Sequence, residues 1–186
     1  MPNTTFVTTL LALVLASASN AAAAHGNHTT SQAKPSPFIG ITQTSLKIKL
    51  DTLPNATWKA DAIGVNAGLP LTNNIWLEAK GLKGTNSTSI NNTRRELDHY
   101  IGLNLVGRLP IISTGFSLYG SVGAGQTKLS TTGPGIQTSE SNSSLGYGFG
   151  VMYNTGPFNF RVGYESLFND DGIEIDGMNV SGGYRF

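Results

Sequence analysis

From Phe38 onward, apolar and non-apolar residues alternate with a period of two, and no segment of ordinary helix length shows helical spacing. A chain built this way folds into strands whose two faces meet different surroundings. The clearest run is Leu145-Gly146-Tyr147-Gly148-Phe149-Gly150-Val151-Met152-Tyr153. One face carries Leu, Tyr, Phe, Val and Tyr; the other carries the glycines and Met152. After a turn at 154–157, Phe158, Phe160, Val162 and Tyr164 stand opposite Asn159, Arg161, Gly163 and Glu165. Looser alternation predicts further strands at 38–51, 57–69, 75–82, 97–109, 115–129 and 177–186. On this reading Lys47, Lys49, Glu78, Lys80, Arg108, Arg161, Glu165 and Arg185 all share the face opposite the apolar one. The connections alternate as well. Short ones fall at 70–74, 110–114 and 154–157, and longer polar ones at 83–96, 130–143 and 169–176; the first, 52–56, is shorter.

Composition separates a soluble sandwich from a membrane barrel. Only 12% of the 186 residues are charged, about half the usual share, whereas glycine is abundant at 23 residues. A barrel with an apolar belt outside and small polar residues inside needs few charges. Ring residues near the predicted strand ends (Trp58, Phe116, Tyr147, Tyr153, Phe158, Phe168 and Phe186) fit aromatic girdles at the two membrane interfaces. Short turns on one side and long loops on the other complete the pattern. They place both termini in the periplasm and the long loops outside the cell. The expected fold is all-β: an eight-stranded antiparallel up-and-down transmembrane β-barrel.

Residues 1–24 read as an export signal: an apolar core too short to span a membrane, then small residues ending Ala22-Ala23-Ala24. The chain lacks Lys or Arg before that core. Residues 25–37, with Pro35 and Pro37, form a flexible periplasmic lead-in, and 38–186 the barrel. The last strand places Met178, Val180, Tyr184 and Phe186 on one face, with Gly182 the single gap. Over 38–186 the pattern resembles the small outer-membrane barrels of the OmpA membrane-domain, OmpX and NspA type. The resemblance implies a bacterial outer-membrane location. It also implies that the terminal aromatic strand is the assembly signal read by the barrel-assembly machinery.

An eight-stranded barrel is just wide enough to be filled by its own side chains. Six cations, Lys47, Lys49, Lys80, Arg108, Arg161 and Arg185, would then share the lumen with two anions, Glu78 and Glu165. Glu78 is expected near Arg108, Arg161 and Arg185, and Glu165 near Lys47 or Lys80. The plain reading is a structural plug; the sharper one is a narrow, porin-like conduit favouring anions. Chemistry is otherwise sparse. Without cysteine there are no disulfides or thiolate metal sites. A net charge of +1 gives no nucleic-acid footprint. His25 and His28 lie in the lead-in and His99 on the apolar face, with no His-x-Ser pattern like that of the lipid A deacylase barrels. Asp170, Asp171, Glu174 and Asp176 are rich in oxygen but lack the calcium-loop spacing. No cofactor, metal or enzymatic activity is expected. The expected partners are outer-membrane lipids and lipopolysaccharide, whose phosphates Arg94 and Arg95 could meet, and host or surface ligands at the long loops. The barrel is expected to be monomeric, with a structural or surface-interaction (adhesin- or opacity-like) role.

Overall fold

The computed structural model describes residues 36–50, 57–90, 92–111, 115–170 and 172–186. The export segment, the lead-in as far as residue 35 with both its histidines, the 52–56 connection and Asp171 lie outside the described residues.

Eight long strands and one two-residue strand follow in order: β1 (Phe38–Leu50), β2 (Thr57–Pro70), β3 (Ile75–Ser87), β4 (Ser89–Ile90), β5 (Thr93–Pro110), β6 (Phe116–Gly133), β7 (Ile136–Thr155), β8 (Phe158–Asp170) and β9 (Ile173–Arg185). Every pairing is antiparallel; β1 pairs with β9 and β3 with β5, so the long strands close into an up-and-down barrel with no free edge. From Gln43 the ladder runs one way through Ile63, Lys83, His99 and Lys128 to Ser141. The other way, it runs through Val180 and Val162 to Val151. The two ends lie about ten residues apart on β7, which is the stagger that closure demands of tilted strands.

Over the lower half of the barrel, apolar side chains point outward. Phe149 is 57% exposed, Val162 50% and Ile41 66%, while Gly148, Arg161 and Thr42 on the opposite faces point in. In the upper half this order reverses. Along β1 the outward residues run Ile39, Ile41, Gln43, Ser45, Lys47, and the inward ones Gly40, Thr42, Thr44, Leu46, Ile48. Leu46 and Ile48 are 2% and 0% exposed and belong to an apolar core with Trp58, Leu82, Leu97, Leu129, Phe168 and Ile175. Strand parity is unbroken through β1; only the surroundings change. Where lipid surrounds the barrel the outer face is greasy. Where water surrounds it, the outer face is polar and the grease moves inside.

The upper half also corrects the expected loops. The segments 83–96, 130–143 and 169–176 are mostly strand: β6 and β7 pair out to Gly133↔Ile136, and β8 and β9 out to Asp170↔Ile173. Ser and Thr there hold a ladder without an apolar face to announce it. The hairpin tips are tight, with Gly135 at φ 73° and Asn92 at φ 59°, backbone that glycine and asparagine accept most readily. A spanning strand needs about 9–11 residues. β5 and β6 have 18 each and β7 has 20, so the surplus forms a head above the bilayer.

An arginine replacing Val151, in the middle of the belt, should cost about 2–4 kcal/mol of unfolding free energy in phospholipid vesicles, against about 0–1 kcal/mol for Ser45→Arg above it. Denaturant titration in lipid measures both.

Candidate functional site

The lumen is organised in layers. Near the termini lies an apolar plug of Phe38, Trp76, Val106, Tyr119 and Met152. The head core caps the other end. Between them lie two buried ion pairs. Arg161 Nη1 donates to Glu78 Oε2 at 2.6 Å. Lys80 Nζ donates to Glu165 Oε2, whose other oxygen accepts from Thr44 Oγ1 at 3.1 Å. The Arg161 guanidinium lies over the Phe38 ring at 5.1 Å and the Tyr119 ring at 5.8 Å. With the Asn66 amide oriented to donate to the Gly40 carbonyl at 3.1 Å, its oxygen accepts from Arg161 Nη2. Tyr119 donates to Asn179 at 3.4 Å. Each buried charge thus faces an opposite one, as a low-dielectric interior requires.

Glycines make room for the rings that fill this layer. A Cβ on Gly102 or Gly125 would land on the Tyr100 ring, and one on Gly163 would meet the Tyr119 hydroxyl. What remains is a cavity of about 20 Å³ between Glu78, Lys80, Tyr100, Arg161 and Glu165. A second of about 20 Å³ lies below it, beside Trp76 and Arg185. Each is large enough for roughly one water.

The lumen charges expected from sequence divide into three groups. Glu78, Lys80, Arg161 and Glu165 come together in the polar layer. Arg108 and Arg185 sit at the terminal rim instead: Arg108 donates to the Asn73 carbonyl at 3.0 Å and lies over Trp76, and Arg185 donates to the Gly156 carbonyl. Lys47 is exposed on the outer face, across from Lys59. Lys49 also faces outward and binds Glu174 at 3.1 Å and Asp176 at 3.5 Å. Both lysines lie in the region where inside and outside have exchanged polarity, so the expected excess of positive charge in the lumen is absent from the polar layer. Trp58 and Phe168 point inward as well, at 3% and 2% exposure, Trp58 by the same exchange and Phe168 because the β-bulge between Ser166 and Phe168 carries it to the inner face, opposite Ile175; neither joins the girdle.

The girdle near the termini is built on Phe116, Tyr153, Phe158, Tyr184 and Phe186, with ring centroids 4.6 Å apart for Phe116–Tyr153 and 5.5 Å for Tyr184–Phe186. Met178, Val180, Tyr184 and Phe186 all point outward, and the Gly182 gap opens into a shallow apolar groove beside Phe160 and Ile41. Arg94 is held by Glu96 at 2.8 Å, and Arg95 lies over Trp58 at 5.3 Å. His99 is exposed on the outer face. Among the described residues no cluster of His, Asp and Glu is arranged to hold a metal.

Outward grease over the lower barrel, a closed sheet and charges paired inside define an integral β-barrel membrane protein. The chain belongs to the outer membrane protein beta-barrel domain family, whose model matches residues 8–186, and its place is the bacterial outer membrane. No curated protein sequence matches it. Among solved structures, Neisserial surface protein A is similar, with TM-score 0.67 and 14% identity over 81% of this chain and 97% of that one. Ail of Yersinia pestis gives 0.62 and 22% over 82% and 99%. The N-terminal barrel domain of Pseudomonas aeruginosa OprF gives 0.60 and 14% over 82% and 100%. At these identities the likeness concerns the fold.

Replacing Arg161 with Met should cost about 3–5 kcal/mol by stranding Glu78, and adding Glu78→Leu should recover most of that loss. Guanidinium unfolding of the single and double variants in lipid reads the coupling.

Proposed function

We propose that this barrel is a non-conducting surface protein whose working part is its head. The observation that carries the reading is the continuation of the strands above the belt as a stiff, polar-walled extension with its own apolar core. A spacer between membrane and solvent needs no such core, whereas a platform holding residues in fixed positions does, because rigid elements fix a binding surface better than loops. Polar side chains in antiparallel register, such as Thr131↔Thr138 and Thr132↔Gln137, line its upper edge. Ail of Yersinia pestis, a barrel of similar fold, has been crystallised with the heparin analogue sucrose octasulfate. That precedent makes an extracellular polyanion a reasonable first ligand to try. What supports this reading over the conduit is that, among the described residues, the charges of the polar layer pair one to one between two apolar plugs, beside cavities of water size.

Two measurements test this. Planar-bilayer recordings should show no conductance steps for the refolded chain; steps that change on replacing Arg161 would overturn the sealed lumen. Replacing residues 130–139 by Asn-Gly keeps the Leu129↔Glu140 pair and removes the top of one hairpin. Whole cells carrying that variant should lose most of their binding to immobilised heparin or matrix protein. Binding equal to that of the parent would remove the surface role.

A further inference from the structure

The cations of this chain follow a rule with one set of exceptions. Among the described residues, Lys49, Lys80, Arg94, Lys128 and Arg161 have carboxylate partners. Arg95 lies over Trp58, and Arg108 and Arg185 donate to backbone carbonyls. Lys47, Lys59 and Lys83 are exposed on the outer face, and no carboxylate, carbonyl or ring of the described protein engages their ammonium groups.

Their register makes the exception informative. Lys47 stands directly opposite Lys59 on one side and Asp176, which Lys49 engages, on the other. Lys83 stands opposite His99, and His99 opposite Lys128. Like charges directly across an antiparallel pair destabilise a sheet unless something outside compensates. A stagger of about ten residues shared among eight strands lifts each hydrogen-bonded row by about one residue per strand, from β1 towards β6. Once that climb is subtracted, the five basic residues on β1, β2, β3, β5 and β6 fall within roughly 7 Å of one height. The uppermost outward apolar residues, Ile63, Ile101, Leu145 and Met178, come out at one level immediately beneath. The basic residues thus form an arc around more than half the barrel, at the upper rim of the apolar belt. Acids at the same height interrupt it: Asp176 stands opposite Lys47 on β9 and, with Glu174, holds Lys49; Asp61 accepts from Ser45 at 2.9 Å; and Asp98 accepts from Ser130 at 2.9 Å and lies 3.6 Å from Lys128. Net positive charge remains. Among the described residues, the opposite rim carries rings in place of outward-facing cations.

We infer that the Lys47, Lys59, Lys83, His99 and Lys128 arc is a binding surface for the phosphate groups of the outer-leaflet glycolipid, seated at the headgroup level. Height selects the occupant. The arc borders the apolar belt rather than the tip of the head, so a ligand reaching it brings acyl chains to cover Ile63 and Ile101 while its phosphates meet the lysines. A lysine near an anionic lipid surface contributes roughly fivefold in affinity, so the three unpartnered lysines together should contribute on the order of 100-fold.

The test uses the full chain refolded in phosphatidylcholine nanodiscs and titrated with bisphosphorylated lipid A, with bound lipid read by native mass spectrometry. Lys47→Gln, Lys59→Gln and Lys83→Gln combined should weaken binding on the order of 100-fold, while the corresponding triple arginine variant keeps it. Heat-modifiable gel mobility reports folding of each. The parent chain alone gives a second comparison, independent of any variant: dephosphorylated lipid A should bind at least tenfold more weakly. Equal affinity for the two lipids, or a folded triple glutamine variant within twofold of the parent, would overturn the inference. So would sucrose octasulfate binding to the parent as tightly as the lipid and losing affinity in the same variant, since that would make the arc a site for soluble polyanions.

Discussion

An eight-stranded barrel staggered by about ten residues has an interior that side chains fill and nothing larger shares. Everything inside follows from that narrowness. Tyr100 and Tyr119 span it only because Gly102, Gly125 and Gly163 leave their side chains out. A charge that enters cannot keep a hydration shell, so Arg161 and Lys80 persist only beside Glu78 and Glu165. Above and below this layer the same space is closed with hydrocarbon, which removes the need for further pairing.

Closure was legible in the sequence because period-two alternation depends on strand geometry alone. Leu145 to Tyr153 and Phe158 to Glu165 sit in strands with the faces expected. What the alternation leaves open is which face is the inside. That choice depends on the medium around each level of the barrel. In lipid the apolar face points out, so Ile39 and Ile41 behave as read. A few residues further along the same strand the medium is water, Leu46 and Ile48 point in, and Lys47 is delivered to the surface. Trp58, at the start of β2, points inward at a level where water lies outside, and Phe168 is carried inward by the β-bulge beside it, which alternation alone does not announce. The clue was available in β1 itself, where the greasy parity changes from odd to even residues between Ile41 and Leu46.

The head was hidden by a different effect. Segments such as 130–143 hold few large apolar residues, and polar runs between apolar ones read as loops. A strand paired on both sides and wet on its outer face needs only residues that tolerate extended backbone. Serine and threonine do so once neighbouring strands supply the hydrogen bonds. The inner face supplies the rest through a few contributions from each strand: Leu129 from β6, Leu97 from β5, Ile175 from β9. No single segment looks like core, yet together they make one.

The bilayer's own asymmetry now explains how the basic side chains are distributed. Inside, a cation without an anion is too costly, so lumen cations come in pairs. At the terminal rim, Arg108 and Arg185 reach carbonyls and rings supplied by the barrel itself. At the upper rim Lys59 and Lys83 are held by register opposite other basic groups, and Lys47 between Lys59 and an Asp176 already engaged by Lys49, where side-chain repulsion is only partly offset. A protein-only account makes that rim a defect. A leaflet carrying phosphate at this height turns the repulsion into the condition for binding, because the groups that repel one another in isolation then share a common set of counter-charges. The rim facing the other leaflet, where the outward contacts are made by Phe158, Tyr184 and Phe186, carries no comparable arc among the described residues.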